Sequence, residues 1–97
     1  MRQADEHVAQ DLALTIENEY DLYNQKESIQ KNLSRKYKNG RYSHALAPKL
    51  WLYLVTNGAK MYYQNCGVKP DVPTRKLCAQ IMADEYLEEL KLGNFTE

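Results

Sequence analysis

The 97-residue sequence contains no run of eighteen apolar residues, no glycine-rich loop and no excess of either charge. Its most apolar stretch, 43–66, carries Lys49, Asn57 and Lys60, so it reads as a core helix and not as a membrane span. The four glycines stand isolated at 40, 58, 67 and 93, which excludes a phosphate-cradling loop. Cys66 and Cys78 are twelve residues apart, and neither His7 nor His44 sits at a CxxC, HxxxH or HExxH interval. Metal-ligand spacing is therefore missing. A Cys66–His44 nucleophile pair would need only closeness in space, but no third group to orient it is evident. Asp84, Glu85, Glu88 and Glu89 lack a Glu-x-x-His partner on another helix and read as a solvated acidic face. No catalytic, cofactor-binding or metal-ligating residue is assigned, and the chain is expected to be non-enzymatic. The opening MRQADEHVAQD has no apolar segment of the signal-peptide kind, which points to a cytoplasmic setting with both thiols reduced.

What the sequence does have is a strong helical rhythm. Hydrophobic residues make up 43% and charged residues 27%, which is enough apolar surface for one small globular domain. Between Ser43 and Cys66, positions Leu46, Leu50, Trp51, Leu54, Val55, Ala59, Met61 and Tyr62 cover more than half of a helix circumference. Leu52, Tyr53 and Tyr63 widen that surface. The pattern predicts a central helix covered on two sides, capped by Ser43 at its start, with Pro48 loosening the first turn.

Upstream, Leu12, Ile16, Tyr20 and Tyr23 share one helical face, and Leu22, Ile29, Leu33 and Tyr37 form a second line offset by about a third of a turn. No proline or glycine intervenes before Gly40, so the spacing predicts one long helix over about 10–38, kinked in the Asn24–Ser28 region and stopped at Asn39-Gly40. Pro73 opens a last helix with Leu77, Cys78, Ile81, Met82, Tyr86, Leu87 and Leu90 on its apolar face, ended by Gly93-Asn94. The expectation is an all-α antiparallel three-helix bundle with a buried central helix. Residues 1–10 are read as a flexible N-terminus, 11–94 as one helical domain and 95–97 as a tail.

Three blocks carry a resemblance. They are IENEYDLYNQ with IQKNLSRKYKNGRYSHALA, then LWLYLVTNGAKMYYQNCG, then VPTRKLCAQIMADEYLEELKLGN. Together, over about residues 14–94, the chain resembles small, helical, uncharacterised proteins encoded by tailed bacteriophages and prophages. Those have a glycine-tyrosine turn before a W/F-x-Y-L-V-x-x-(G/A)-A-K-x-Y helix; Pro48 departs from their pattern. The resemblance implies a phage gene product working inside a bacterial cell, and it transfers no functional residue.

Two surface patterns remain as candidate sites. Residues 1–24 carry a net charge of −5, residues 25–50 carry +6 and residues 51–97 carry −1. The basic segment comprises Lys26, Lys31, Arg35, Lys36, Lys38 and Arg41, interleaved with Asn32, Tyr37, Asn39 and Tyr42. Such a pattern suits phosphate and base contacts, and it equally suits cations complementing a helix C-terminus. The second pattern is tyrosine: eight are present, too many for a domain of this size to bury. Tyrosine is an interface residue and also a residue that walls small cores with its hydroxyl in water. The expected binding residues are Tyr20, Tyr23, Tyr37 and Tyr42, with Arg35, Lys36, Lys38 and Arg41 as an electrostatic rim. The leading expectation is stoichiometric binding of a host or phage protein, in host takeover or counter-defence. Accessory nucleic-acid binding through 26–42 is the alternative, as is self-association into a homodimer by pairing acidic residues 5–21 with basic residues 26–41.

Overall fold

A computed structural model describes residues 3–93, and among them the chain forms four helices: α1 (Glu6–Asn18), α2 (Tyr20–Lys38), α3 (Ala47–Cys66) and α4 (Val72–Leu92). The all-α class holds; the three-helix count does not. The long helix expected over 10–38 is two helices, and the break falls at Glu19 rather than between Asn24 and Ser28. Glu19 is extended (φ −98°, ψ 125°). Its own N–H still donates to Thr15 O at 3.1 Å, and its carbonyl accepts from Tyr23 N at 2.8 Å, so few backbone bonds are forfeited.

Burial explains the position of the break. Leu12 and Ile16 are fully buried, but Tyr20 and Tyr23, next on that stripe, are 78% and 41% exposed. The buried line passes instead to Leu22 and Leu33, with Ile29 packed beside them. In an unbroken helix Leu22 would face about 120° away from Ile16. One extended residue between them turns both lines onto the core. The Lys26–Glu17 ion pair (Nζ–Oε1 3.2 Å) spans the break.

The helical unit also starts earlier than residue 11. Asp5 caps α1, its carboxylate accepting from Val8 N at 3.1 Å, while its own N–H donates to Thr74 Oγ1 at 3.0 Å. Ala9 is fully buried. The tail at 95–97 lies outside the described residues, as does Asn94 of the Gly93-Asn94 stop. Ser43 does cap a turn, accepting from Leu46 N at 3.2 Å, yet α3 proper begins at Ala47. Pro48 has no N–H to donate back into that first turn, and the helical ladder resumes from Leu46.

Helix α3 is the central element, packed against α4, α1 and α2. Trp51, near its start, meets Tyr86, near the end of α4, edge-to-face at 6.1 Å, so this pair runs antiparallel. Helix α2 is antiparallel to α3 as well: Asn57 Nδ2 donates to Gln25 Oε1 at 3.2 Å, and Ile29 lies beside Tyr53. Helix α1 crosses α3 at Gly58, where a Cβ would stand 2.6 Å from Ile16 Cγ1. Trp51, Leu54, Val55, Cys78, Met82, Tyr86 and Leu90 complete the core, and Ala59, Ala79 and Ala83 are buried within it.

The close approach at Gly58 yields a test. Replacing a helical glycine by alanine normally adds about 0.5–1 kcal/mol, but overpacking against the branched Ile16 costs about 1–3 kcal/mol. Gly58→Ala is expected to destabilise the fold by about 1–2 kcal/mol in urea unfolding. Ile16→Ala should cost less in the Gly58→Ala background than alone. Additive effects would show that the two positions are not in contact.

Candidate functional site

The expected binding residues do not form one patch. Tyr20 and Tyr23 stand at the start of α2, and Arg35 is fifteen residues along the same helix, roughly 22 Å away. Tyr20 projects into solvent; Tyr23 lies under the Lys26 ammonium, 5.6 Å from its ring centroid. Lys26 is thereby held by Glu17 and Tyr23, and it leaves the basic cluster. Tyr37 and Tyr42 are half-buried and pack against the core. Their rings meet edge-to-face at 5.9 Å, and Tyr42 meets His44 at 5.1 Å. Burial, and then the Asp84 carboxylate, raise the Tyr42 hydroxyl above the ordinary tyrosine pKa. These two rings brace the turn against the core.

The basic end is built by the turn itself. Gly40 N donates to Tyr37 O at 3.1 Å and Arg41 N to Lys36 O at 2.7 Å, with Gly40 at φ +71°. This is the paired closure of a Schellman motif, and a side chain at position 40 would be strained. The closure folds Arg41 back beside Lys36. A shallow depression results, lined by Asn32, Arg35, Lys36, Asn39 and Arg41. Arg35, Lys36 and Arg41 are exposed and make no ion pair among the described residues. Lys38, also expected in the rim, is exposed but does not line the depression.

One turn of α2 earlier, the same side of the helix forms a second depression with α3, lined by Gln25, Ser28, Ile29, Tyr53 and Asn57. Tyr53 is 73% exposed there. The spacing 25, 28, 29, 32, 35, 36, 39 is one helical face, so the aromatic-amide half runs into the basic half. By spacing alone Tyr53 widens the apolar surface of α3 and is equally one of the tyrosines available to an interface. Only the position of α2 beside α3 leaves its ring outside.

The opposite side of α2 borders a cleft of about 340 Å³. Trp51 and Tyr86 form its apolar wall, and Glu17, Glu85, Glu88 and Glu89 stand around it. The Tyr86 hydroxyl donates to Gln30 O at 2.8 Å, while the buried indole N–H of Trp51 has no acceptor among the described residues.

The structure separates Cys66 from His44. His44 and Cys66 flank opposite ends of α3, roughly 30 Å apart, so they cannot act as a nucleophile pair. Cys66 lies instead near Tyr62, its thiol donating to Tyr62 O at 3.2 Å. Tyr62 Oη reaches Asp11 Oδ2 at 3.5 Å, and His7 Nε2 is 3.4 Å from the same oxygen. Burial, with Cys66 and Asp11 alongside, pushes the Tyr62 hydroxyl up to about 12. No three ligating side chains converge for a metal ion among the described residues, and no helix there is long and apolar enough to cross a membrane.

No family model matches the chain, and neither a curated protein nor a solved structure matches it.

The two cysteines should report their environments directly. Cys66 is exposed, whereas Cys78 is fully buried, its pKa pushed up to about 12 by burial and by the Glu85 carboxylate. One thiol should react rapidly with a disulfide reagent under native conditions and the second only on unfolding; two fast thiols would contradict the packing of α4. A folded pKa above the unfolded value means the native state keeps its proton longer, so stability falls as pH rises from about 9 towards 12. Cys78→Ala should flatten that part of the stability profile, by an amount on the order of a few kcal/mol.

Proposed function

We propose that this chain is a non-enzymatic interaction protein that binds a protein partner stoichiometrically through the α2–α3 face. The observation that carries this reading is the continuity of that face. An exposed Tyr53, beside Ile29 and the Gln25–Asn57 amides, leads along one helical face into three cations that have no carboxylate partner among the described residues. An aromatic anchor with an adjoining basic rim suits a partner segment that is apolar at one end and acidic at the other. The contact is thus placed on Tyr53, Arg35, Lys36 and Arg41, with Tyr20 and Tyr23 outside it. The setting in a bacterial cell, and a host or phage protein as the target, rest on the resemblance to phage-encoded helical proteins.

Accessory nucleic-acid binding is the second reading, favoured by Asn32 and Asn39 lying in the same depression as Arg35, Lys36 and Arg41. Tyr53 would then stack on a base and the cations would meet phosphates.

Pull-down of tagged protein from bacterial lysate, with and without nuclease, separates the two. A single protein recovered equally after nuclease is expected; recovery that disappears with nuclease would favour nucleic acid. For the recovered partner, Arg35→Glu/Lys36→Glu/Arg41→Glu should weaken binding by about 10- to 100-fold, from exposed charge pairs worth about 0.2–1 kcal/mol each plus repulsion. Tyr53→Ala should weaken it by a similar factor. Unchanged affinity in both variants, with helical circular dichroism intact, would remove the α2–α3 face from the reading.

A further inference from the structure

Two surfaces of opposite charge flank α2 in a chain of zero formal net charge. Lys26 and Gln30 border the cleft, while Asn32, Arg35, Lys36 and Asn39 border the basic depression. At 100° per residue these two sets lie roughly 150° apart around the α2 axis. The basic side holds three cations with no ion pair among the described residues. The cleft side holds Glu17, Glu85, Glu88 and Glu89. Lys26 engages Glu17, and Lys91 Nζ stands 3.9 Å from Glu88. Glu85 and Glu89 make no ion pair among the described residues, so the cleft keeps an acidic surplus over its Trp51–Tyr86 wall.

We infer that the cleft is the docking site for the basic end of α2 from a second copy of this chain. Arg35, Lys36 and Arg41 of one copy meet Glu85 and Glu89 of the next across the mouth of the cleft. Because the two surfaces face opposite ways on one helix, no chain can satisfy itself. A pair using one such contact still exposes one free surface of each kind. The association is therefore head-to-tail and grows into a ring or an open chain, in contrast to a closed dimer. The acidic partner of the basic segment is the α4 carboxylate row, not the N-terminal 5–21. Held by exposed charges, the contact is weak and sensitive to salt.

The test uses the intact chain alone, so it is independent of any partner found for the α2–α3 face. Sedimentation at low salt should show the average mass rising above the 11.3 kDa monomer with concentration and returning to it at high salt. Neutralising either surface should leave a monomer: Arg35→Gln/Lys36→Gln/Arg41→Gln in one variant, Glu85→Gln/Glu88→Gln/Glu89→Gln in the other. Mixed, the two variants should form a one-to-one dimer that grows no further, since each supplies only one intact surface. A wild-type chain that stays monomeric at millimolar concentration and low salt would overturn the inference. So would a mixture that never pairs, or variants that assemble like wild type. The single changes Lys36→Gln and Glu89→Gln, each expected to weaken assembly several-fold, serve if a triple variant loses its helical circular dichroism. The acidic-side variant should still bind a protein partner of the α2–α3 face, which keeps failure of the two ideas distinguishable.

Discussion

Ile16 resting on Gly58 is the constraint from which the arrangement follows. The absence of a side chain in the middle of α3 lets α1 approach closely enough for Leu12 and Ile16 to be fully buried. A helix that crosses this tightly cannot also carry Leu22 and Leu33 to the same core in a straight line. The chain turns at Glu19, and α2 takes its own course along α3. The two-helix solution thus arises from packing, because residues 18–20 contain neither proline nor glycine to impose it. A local backbone deviation of one residue costs little when its flanking hydrogen bonds survive, and the burial of two apolar lines outweighs it.

That course of α2 also decides the electrostatics. A sequence with thirteen basic and thirteen acidic side chains need not be polar in space. Here Arg35, Lys36 and Arg41 end on the side of α2 shared with the α2–α3 depression, and Glu85, Glu88 and Glu89 of α4 gather on the other side. The Schellman closure at Gly40 sharpens the contrast by bringing Arg41 back beside Lys36. Local backbone chemistry therefore concentrates charge at the one place where the helix dipole also favours cations.

Much of this was legible in the sequence, and the failures have a common physical root. The stop at Asn39-Gly40 and the opening of α4 near Pro73 announce themselves through residues with few conformational options. The buried rank of Trp51, Leu54, Val55, Cys78 and Tyr86 follows from periodicity. Glu19 gave no such signal. Tyrosine concealed it: Tyr20 and Tyr23 fit the Leu12–Ile16 stripe by spacing, and a residue with an apolar ring and a polar tip satisfies either side of a helix. The same ambiguity leaves spacing unable to say that Tyr53 stands in solvent while Tyr37 and Tyr42 are half-buried against the core. The division of charge was beyond periodicity altogether, since it depends on which side of α2 faces α4.

The single tryptophan gives the molecule one further property. Side chains from all four helices gather around the cleft that Trp51 lines, and only 1% of the indole is reached by solvent. Removing any one helix would wet that ring. The emission of this lone indole, excited selectively over the eight tyrosines, is accordingly an optical readout of the entire bundle. A domain with such a hub has no autonomous subunit to shed, and it should lose its order in one cooperative step.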